Sequence, residues 1–193
     1  MKNQINKKNQ MKSYLFFNMD SHKTINSLKT FSKIFLIFSL AFIAGYIYKI
    51  SNIDLEKTTS FRLILSDTDI LPLYKNDMKN FIFISIYEML RMILLTSILW
   101  YFYKFLASVN IADPFENIIS KIHINRVANL STVFFFIDFV GSMHLKYISN
   151  ELGIDVYITT FNFEYLFIVY FISVFSVIFS RGIDLKNEID LVI

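Results

Sequence analysis

Cysteine is absent from this chain of 193 residues. That excludes disulfides, thiol catalysis, thiolate metal sites and cysteine lipidation. Glycine and proline are scarce, at four and two residues. Broken helices and re-entrant loops, the usual marks of a transporter's substrate site, lean on those residue types, so few are expected. The three histidines, His22, His123 and His144, are too scattered for a histidine-based metal site. Glu88, Asp138 and His144 could in principle supply three ligands, but Arg91 in their midst would repel a cation. The chain has no nucleophile elbow, phosphate loop, Gly-rich fingerprint or paired-acid motif. No enzymatic activity, cofactor or metal is expected.

Long apolar runs are what the chain does have. Hydrophobic residues make up 54% of it. Four runs lie near Ile34–Tyr48, Phe81–Tyr103, Val127–Leu145 and Tyr165–Ser180. A bilayer core is ~30 Å thick and needs ~20 mostly apolar residues per helix. Two runs reach that length outright, and the other two have uncharged or snorkelling flanks that extend them. The sequence predicts an all-α, integral membrane four-helix bundle with spans at about 31–50, 81–103, 127–148 and 160–180. A polar N-terminal segment, 1–30, precedes the membrane domain, 31–182, and a tail, 183–193, follows it.

Orientation follows from the positive-inside rule. Seven lysines precede the first span (Lys2, Lys7, Lys8, Lys12, Lys23, Lys29 and Lys33), against the single acid Asp20. The next loop balances five basic with five acidic residues. The loop after span two is basic, through Lys104, Lys121, His123 and Arg126, and the last loop is acidic. The expected protein is multi-pass in the cell membrane with both termini cytoplasmic. The polar lead before span one is long for a signal peptide, so an uncleaved anchor is the default.

Local patterns add detail. Residues 1–24 are Lys- and Asn-rich and read as disordered or loosely helical, a topology signal or a lipid-headgroup contact. Ala41 and Gly45, four apart, read as a helix-packing face. Phe61–Leu65 and Ile70–Tyr74 read as short strands around a Ser66–Asp69 turn. Asp113 reads as an N-cap with Pro114 at the first helical position. Phe115, Ile118, Ile119 and Ile122 then fall at i, i+3, i+4 and i+7, with Glu116, Ser120 and Lys121 on the other face. That predicts a short amphipathic helix on the inner interface between spans two and three, either an anchor or a docking surface.

Four ionisable residues sit at membrane depth: Glu88 and Arg91 in span two, Asp138 and His144 in span three. Each costs at least ~2.5–3.5 kcal/mol on insertion scales, so they are expected to face the bundle and find partners. Glu88 and Arg91 share a helix face. Counting inward at ~1.5 Å per residue puts Arg91 and Asp138 at the same depth, ~15 Å from the outer ends. The expected arrangement is an Arg91–Asp138 ion pair, with Glu88 sharing Arg91 and His144 above. It either fixes helix register or serves a proton path, an ion path or a sensing switch.

The most specific stretch is the end, Phe179–Ser180–Arg181–Gly182–Ile183–Asp184–Leu185–Lys186–Asn187–Glu188–Ile189–Asp190–Leu191–Val192–Ile193. A span ending in Phe, then Gly three on, then Leu, Glu, Asp–Leu and a terminal aliphatic residue resembles the bacterial membrane family catalogued as domain of unknown function 2975. The Pro114–Phe115 start of the inner segment resembles the same family. The chain departs from it at Ile189, where a polar residue is common, and in a less basic inner segment. The family has no established activity, and its members are often encoded beside small helix-turn-helix regulators of the Xre type. The resemblance implies a membrane component that holds or modulates such a regulator. Phe115, Ile118, Ile122, Leu185, Glu188, Asp190 and Leu191 would form the docking surface. Without the resemblance, Arg181 is a positive-inside stop, Gly182 a helix break and the rest a short amphipathic end. The acids make direct nucleic-acid binding unfavourable. The lipid bilayer is the certain partner, and a second copy of the chain is a further candidate. The alternative function is a small transporter, channel or immunity-type protein with a polar path through Glu88, Arg91 and Asp138.

Overall fold

The computed structural model describes the backbone of residues 2–53, 58, 60–63, 65, 69–110, 113–153 and 163–191. It describes side chains from residue 23 onward within those ranges, except at 152 and 163–165. The described chain forms α1 (Lys2–Ser51), α2 (Leu71–Asn76), α3 (Met78–Ser108), α4 (Ile118–Leu152) and α5 (Phe163–Asp190). Four of these are long and apolar enough to cross a membrane, over Lys23–Ser51, Met78–Ser108, Ile118–Glu151 and Leu166–Asp190. The protein is an all-α, multi-pass membrane protein. Residues 160–162 of the expected fourth span lie outside the described residues.

The helix ends follow local chemistry. Ser51 Oγ and Asn52 Nδ2 donate to the carbonyls of Ile47 and Tyr48, both at 2.9 Å, and so satisfy the last turn of α1. The Asp77 carboxylate caps α3 by accepting from the Asn80 amide at 3.1 Å. Asn117 caps α4 by accepting from the Ile119 amide at 2.9 Å. Gly153, at φ 61°, ends α4 in the left-handed conformation that a Cβ would oppose.

The lysine-rich lead takes the helical of its two expected forms: α1 is continuous from Lys2 into the span. Two expectations about local structure need correction. The outer hairpin is half of what the pattern predicts. An isolated bridge joins Arg62 to Asp69, and the Ile70 amide donates to the Phe61 carbonyl at 2.8 Å. The second strand is instead α2, since Pro72 has no amide to give a ladder and fits a first helical turn. Asp69 Oδ1 accepts from both the Phe61 amide, 2.9 Å, and the Leu71 amide, 3.0 Å, so one carboxylate closes the loop and starts the helix. The inner amphipathic helix is the beginning of α4 and not a separate element. It starts at Ile118, and Asp113–Glu116 form a turn before it.

The spans pack in chain order: α1 on α3, α3 on α4 and α4 on α5, with α2 on α3. Two apolar clusters hold the two ends of the helices, where outer names the end with the α1–α3 loop and inner the end with the α3–α4 turn. The outer one gathers Tyr46, Phe61, Leu63, Ile70, Leu73, Phe81, Ile84 and Ile148, so the outer loop folds down as a cap on the helices. The inner one gathers Phe105, Leu106, Ile124, Val127, Phe179 and Ile183. Outward-facing Ile37, Phe38, Ile86, Val140 and Phe171 are exposed in the isolated chain, as lipid-facing residues should be.

The small-residue contacts are also redistributed. Ala41 and Gly45 face outward, and a Cβ at Gly45 would meet nothing. Helix α1 instead meets its neighbours through Tyr46, whose ring lies 5.9 Å from that of Phe61. The close approach is at Gly141, where a Cβ would overlap the ring of Tyr87 from α3. Gly141→Ala is therefore expected to cost ~1–3 kcal/mol through overpacking. Gly45→Ala should be neutral within ~0.5 kcal/mol or slightly stabilising. Thermal unfolding of the two variants in detergent checks this, and equal midpoints would contradict the packing.

Candidate functional site

Arg91 is the centre of a buried charge cluster on the α3–α4 seam. Glu88 lies one turn before it, so both side chains leave the same face of α3. Arg91 Nη1 donates to Glu88 Oε2 at 2.8 Å, and Arg91 Nη2 forms an ion pair with Asp138 Oδ1 on α4. The guanidinium also lies over the rings of Tyr87 and Phe134, 5.4 and 6.0 Å from their centroids. The Tyr87 hydroxyl donates to the Asp138 carbonyl at 3.2 Å, a second tie between the same helices.

The second Glu88 oxygen has a partner that no residue pattern advertises. Glu88 Oε1 accepts from the backbone amide of Leu65, in the outer loop, at 2.6 Å. Glu88 is fully buried, and a buried carboxylate needs all the donors it can reach. The loop thereby becomes part of the membrane cluster. Asp138 differs: its side chain is 17% exposed and borders a cavity of ≈ 200 Å³ also lined by Leu95, Ser131, Ile168 and Ile172. His144 does not join them. It meets Phe83 edge to face, centroids 4.8 Å apart, and lines a separate apolar groove with Tyr87 and Val140.

A second polar assembly lies at the inner end. Lys121 pairs with Asp184 at 2.5 Å, and Lys186 pairs with Asp113. Between these bridges the Phe115 ring sits 5.5 Å from that of Phe179 and directly over Gly182. A Cβ at Gly182 would come 2.5 Å from the Phe115 ring. Gly182 is therefore not a helix break; it is a seat, and α5 runs through it to Asp190. Ile183 is fully buried. Asn125 adds a deeper tie, accepting from Ser176 at 2.6 Å and Ser180 at 2.9 Å. Ser120 donates to Ser108 at 2.9 Å and points inward, whereas Glu116 on the same face is exposed.

The proposed docking residues divide accordingly. Phe115 is spent on this internal contact. Ile118 and Ile122 face outward on α4. Leu185, Glu188, Asp190 and Leu191 are exposed at the end of α5. Lys121, Asp184 and Lys186 carry the two bridges and were not singled out as site residues. Their complementary signs around Asp113 and Gly182 were the available signal. Among the described residues no group of histidines and acids is placed to hold a metal ion.

The family profile described as protein of unknown function, DUF2975, matches residues 71–193, more than half of the chain. The chain belongs to that family. The matched region contains the Glu88–Arg91–Asp138 cluster and the whole inner assembly, whereas α1 and the loop bearing Leu65 precede it. No curated protein and no solved structure matches the chain.

Replacing Arg91 by Leu leaves the buried Glu88 carboxylate and the partly buried Asp138 carboxylate without their cation. The expected cost is ~3–5 kcal/mol, the range for breaking one side of a buried pair. Asp138→Asn, at the exposed edge, should cost less than Arg91→Leu. Unfolding in mixed micelles measures both, and a wild-type midpoint for Arg91→Leu would rule out a structural role for the pairing.

Proposed function

We propose that this is a non-enzymatic regulatory protein of the bacterial cytoplasmic membrane with both termini inside. In this reading it holds or modulates a cytoplasmic partner, such as a small helix-turn-helix regulator of the Xre type. One observation carries the reading. Helix α5 continues past the apolar span to Asp190 and is held there by the Lys121–Asp184 and Lys186–Asp113 bridges. That braced end offers Leu185, Ile189 and Leu191, 58%, 58% and 87% exposed, beside the acids Glu188 and Asp190. A rigid surface of apolar and acidic side chains suits a basic protein and repels nucleic-acid phosphates.

Physical continuity supports a signalling role. The outer loop is bonded to Glu88, Glu88 to Arg91, Arg91 to Asp138 on α4, and α4 to α5 through Asn125 and Lys121. A change at the outer cap therefore meets an unbroken chain of contacts to the inner surface. Transport is less well supported, because Glu88 is closed off and both carboxylates face one neutralising cation. The second reading, a small transporter, channel or immunity-type protein, keeps one observation in its favour, the Asp138-lined cavity.

A photo-crosslinking residue placed at Leu185 or Leu191 in living cells tests the proposal. A small, basic, soluble protein should be captured, and Glu188→Lys with Asp190→Lys should abolish its capture. Crosslinks to lipid or to the protein itself alone would overturn the reading. Asp138→Asn changing solute flux in reconstituted vesicles would favour the second.

A further inference from the structure

Two cations at the inner end of the helices, Lys121 and Lys186, have carboxylate partners, whereas a neighbouring group is held by aromatic rings instead. Lys104 on α3 lies over the Trp100 ring, 4.8 Å from its centroid. Arg126 on α4 lies over Tyr101, 5.0 Å from the centroid, and donates to its hydroxyl at 2.9 Å. His123 sits beside them, its ring 6.0 Å from that of Tyr101, close enough to Lys104 and Arg126 to feel both charges. His123 Nδ1 is buried and makes no hydrogen bond. Among the described residues neither Lys104 nor Arg126 has a carboxylate within ion-pair distance. Three acids at this end are otherwise engaged: Asp184 with Lys121, Asp113 with Lys186 and Glu116 with Asn110.

Depth places this group relative to the bilayer. Lys104 follows Arg91 by thirteen residues and Arg126 precedes Asp138 by twelve, which is ~18–20 Å along either helix. The apolar half-thickness of a bilayer is ~15 Å. With Arg91 and Asp138 near the midplane, both cations reach the headgroup layer just beyond the hydrocarbon edge. Trp100 and Tyr101 lie at that edge, where amphipathic rings settle.

We propose that Lys104, Arg126 and His123 form a binding site for the phosphate of an anionic phospholipid headgroup, with Trp100 and Tyr101 as its walls. Arg126 supplies a planar pair of donors that matches a phosphate, and Lys104 supplies a point charge. A zwitterionic lipid brings its own cation and leaves the two charges uncompensated, so the site selects an anionic headgroup. The site lies on the α3–α4 face, away from the Phe115–Gly182 contact, and is independent of any cytoplasmic partner.

The chain's single tryptophan reports on the site directly. The full-length protein is reconstituted in phosphatidylcholine vesicles holding a minor fraction of phosphatidylglycerol, with one or the other lipid brominated in its acyl chains. At equal mole fraction, brominated phosphatidylglycerol should quench Trp100 more strongly, reflecting enrichment on the order of thirtyfold for two basic groups. Lys104→Gln with Arg126→Gln should erase that preference. Arg126→Lys should keep part of it, and Lys146→Gln, at the opposite end of α4, should leave it intact. Equal quenching by the two lipids in the wild-type protein would overturn the proposal. So would a preference that survives the double substitution. Loss of the preference on adding inorganic phosphate would reassign the site to a soluble anion and overturn the lipid assignment.

Discussion

A guanidinium between two carboxylates inside an apolar medium is the constraint on which the outer half of this protein depends. Placing either carboxylate there without a partner would be costly, because removing an ion from water costs several kcal/mol even after relaxation. Arg91 answers both, and its own planar geometry decides where α4 must stand relative to α3. The remaining lone pairs of Glu88 then need a donor, and the Leu65 amide supplies it. An interaction that begins as charge compensation thus fixes a helix register and the position of an extramembrane loop. The apolar cap of Phe61, Leu63, Ile70 and Leu73 packs over the same place and keeps it dry.

The inner half is organised by a different device. Phe115 and Gly182 are among the residues through which the chain resembles its family, and they touch each other. A ring on a turn needs a helix surface with no side chain, and Gly182 provides it two turns before the end of α5. The two ion pairs on either side are partly exposed, so each contributes little on its own. Their value is positional: they hold the extended end of α5 against the turn. The family resemblance therefore has a packing basis, whatever partner the exposed face of α5 meets.

Much of this was legible in the residues. Run length and hydropathy placed four spans, because a bilayer forces backbone groups into helices of a set length. Depth counting along antiparallel helices brought Arg91 to Asp138, since the rise per residue is the same in both. Contacts made by backbone atoms were not legible. The Leu65 amide carries no sequence signal, and the cap on Glu88 depends on how the loop folds. Glycine was ambiguous for a related reason. Gly45 looked like a packing face and faces outward, Gly182 looked like a break and is a seat, and Gly141, the tightest contact, drew no notice. A missing side chain records that something comes close without saying what. The start of α4 was misplaced because Asp113–Pro114 is a good cap in isolation, whereas Asp113 is engaged by Lys186 from a distant helix.

Hydrogen exchange at the Leu65 amide tests the central claim that the outer loop and the membrane cluster are one unit. In the reconstituted wild-type protein this amide should be protected well beyond that of the exposed loop residue Ser60. Glu88→Ala should release it while leaving the amides around Ser120 at the inner end unchanged. A Leu65 amide that exchanges freely in the wild-type protein, or stays protected without Glu88, would contradict the account.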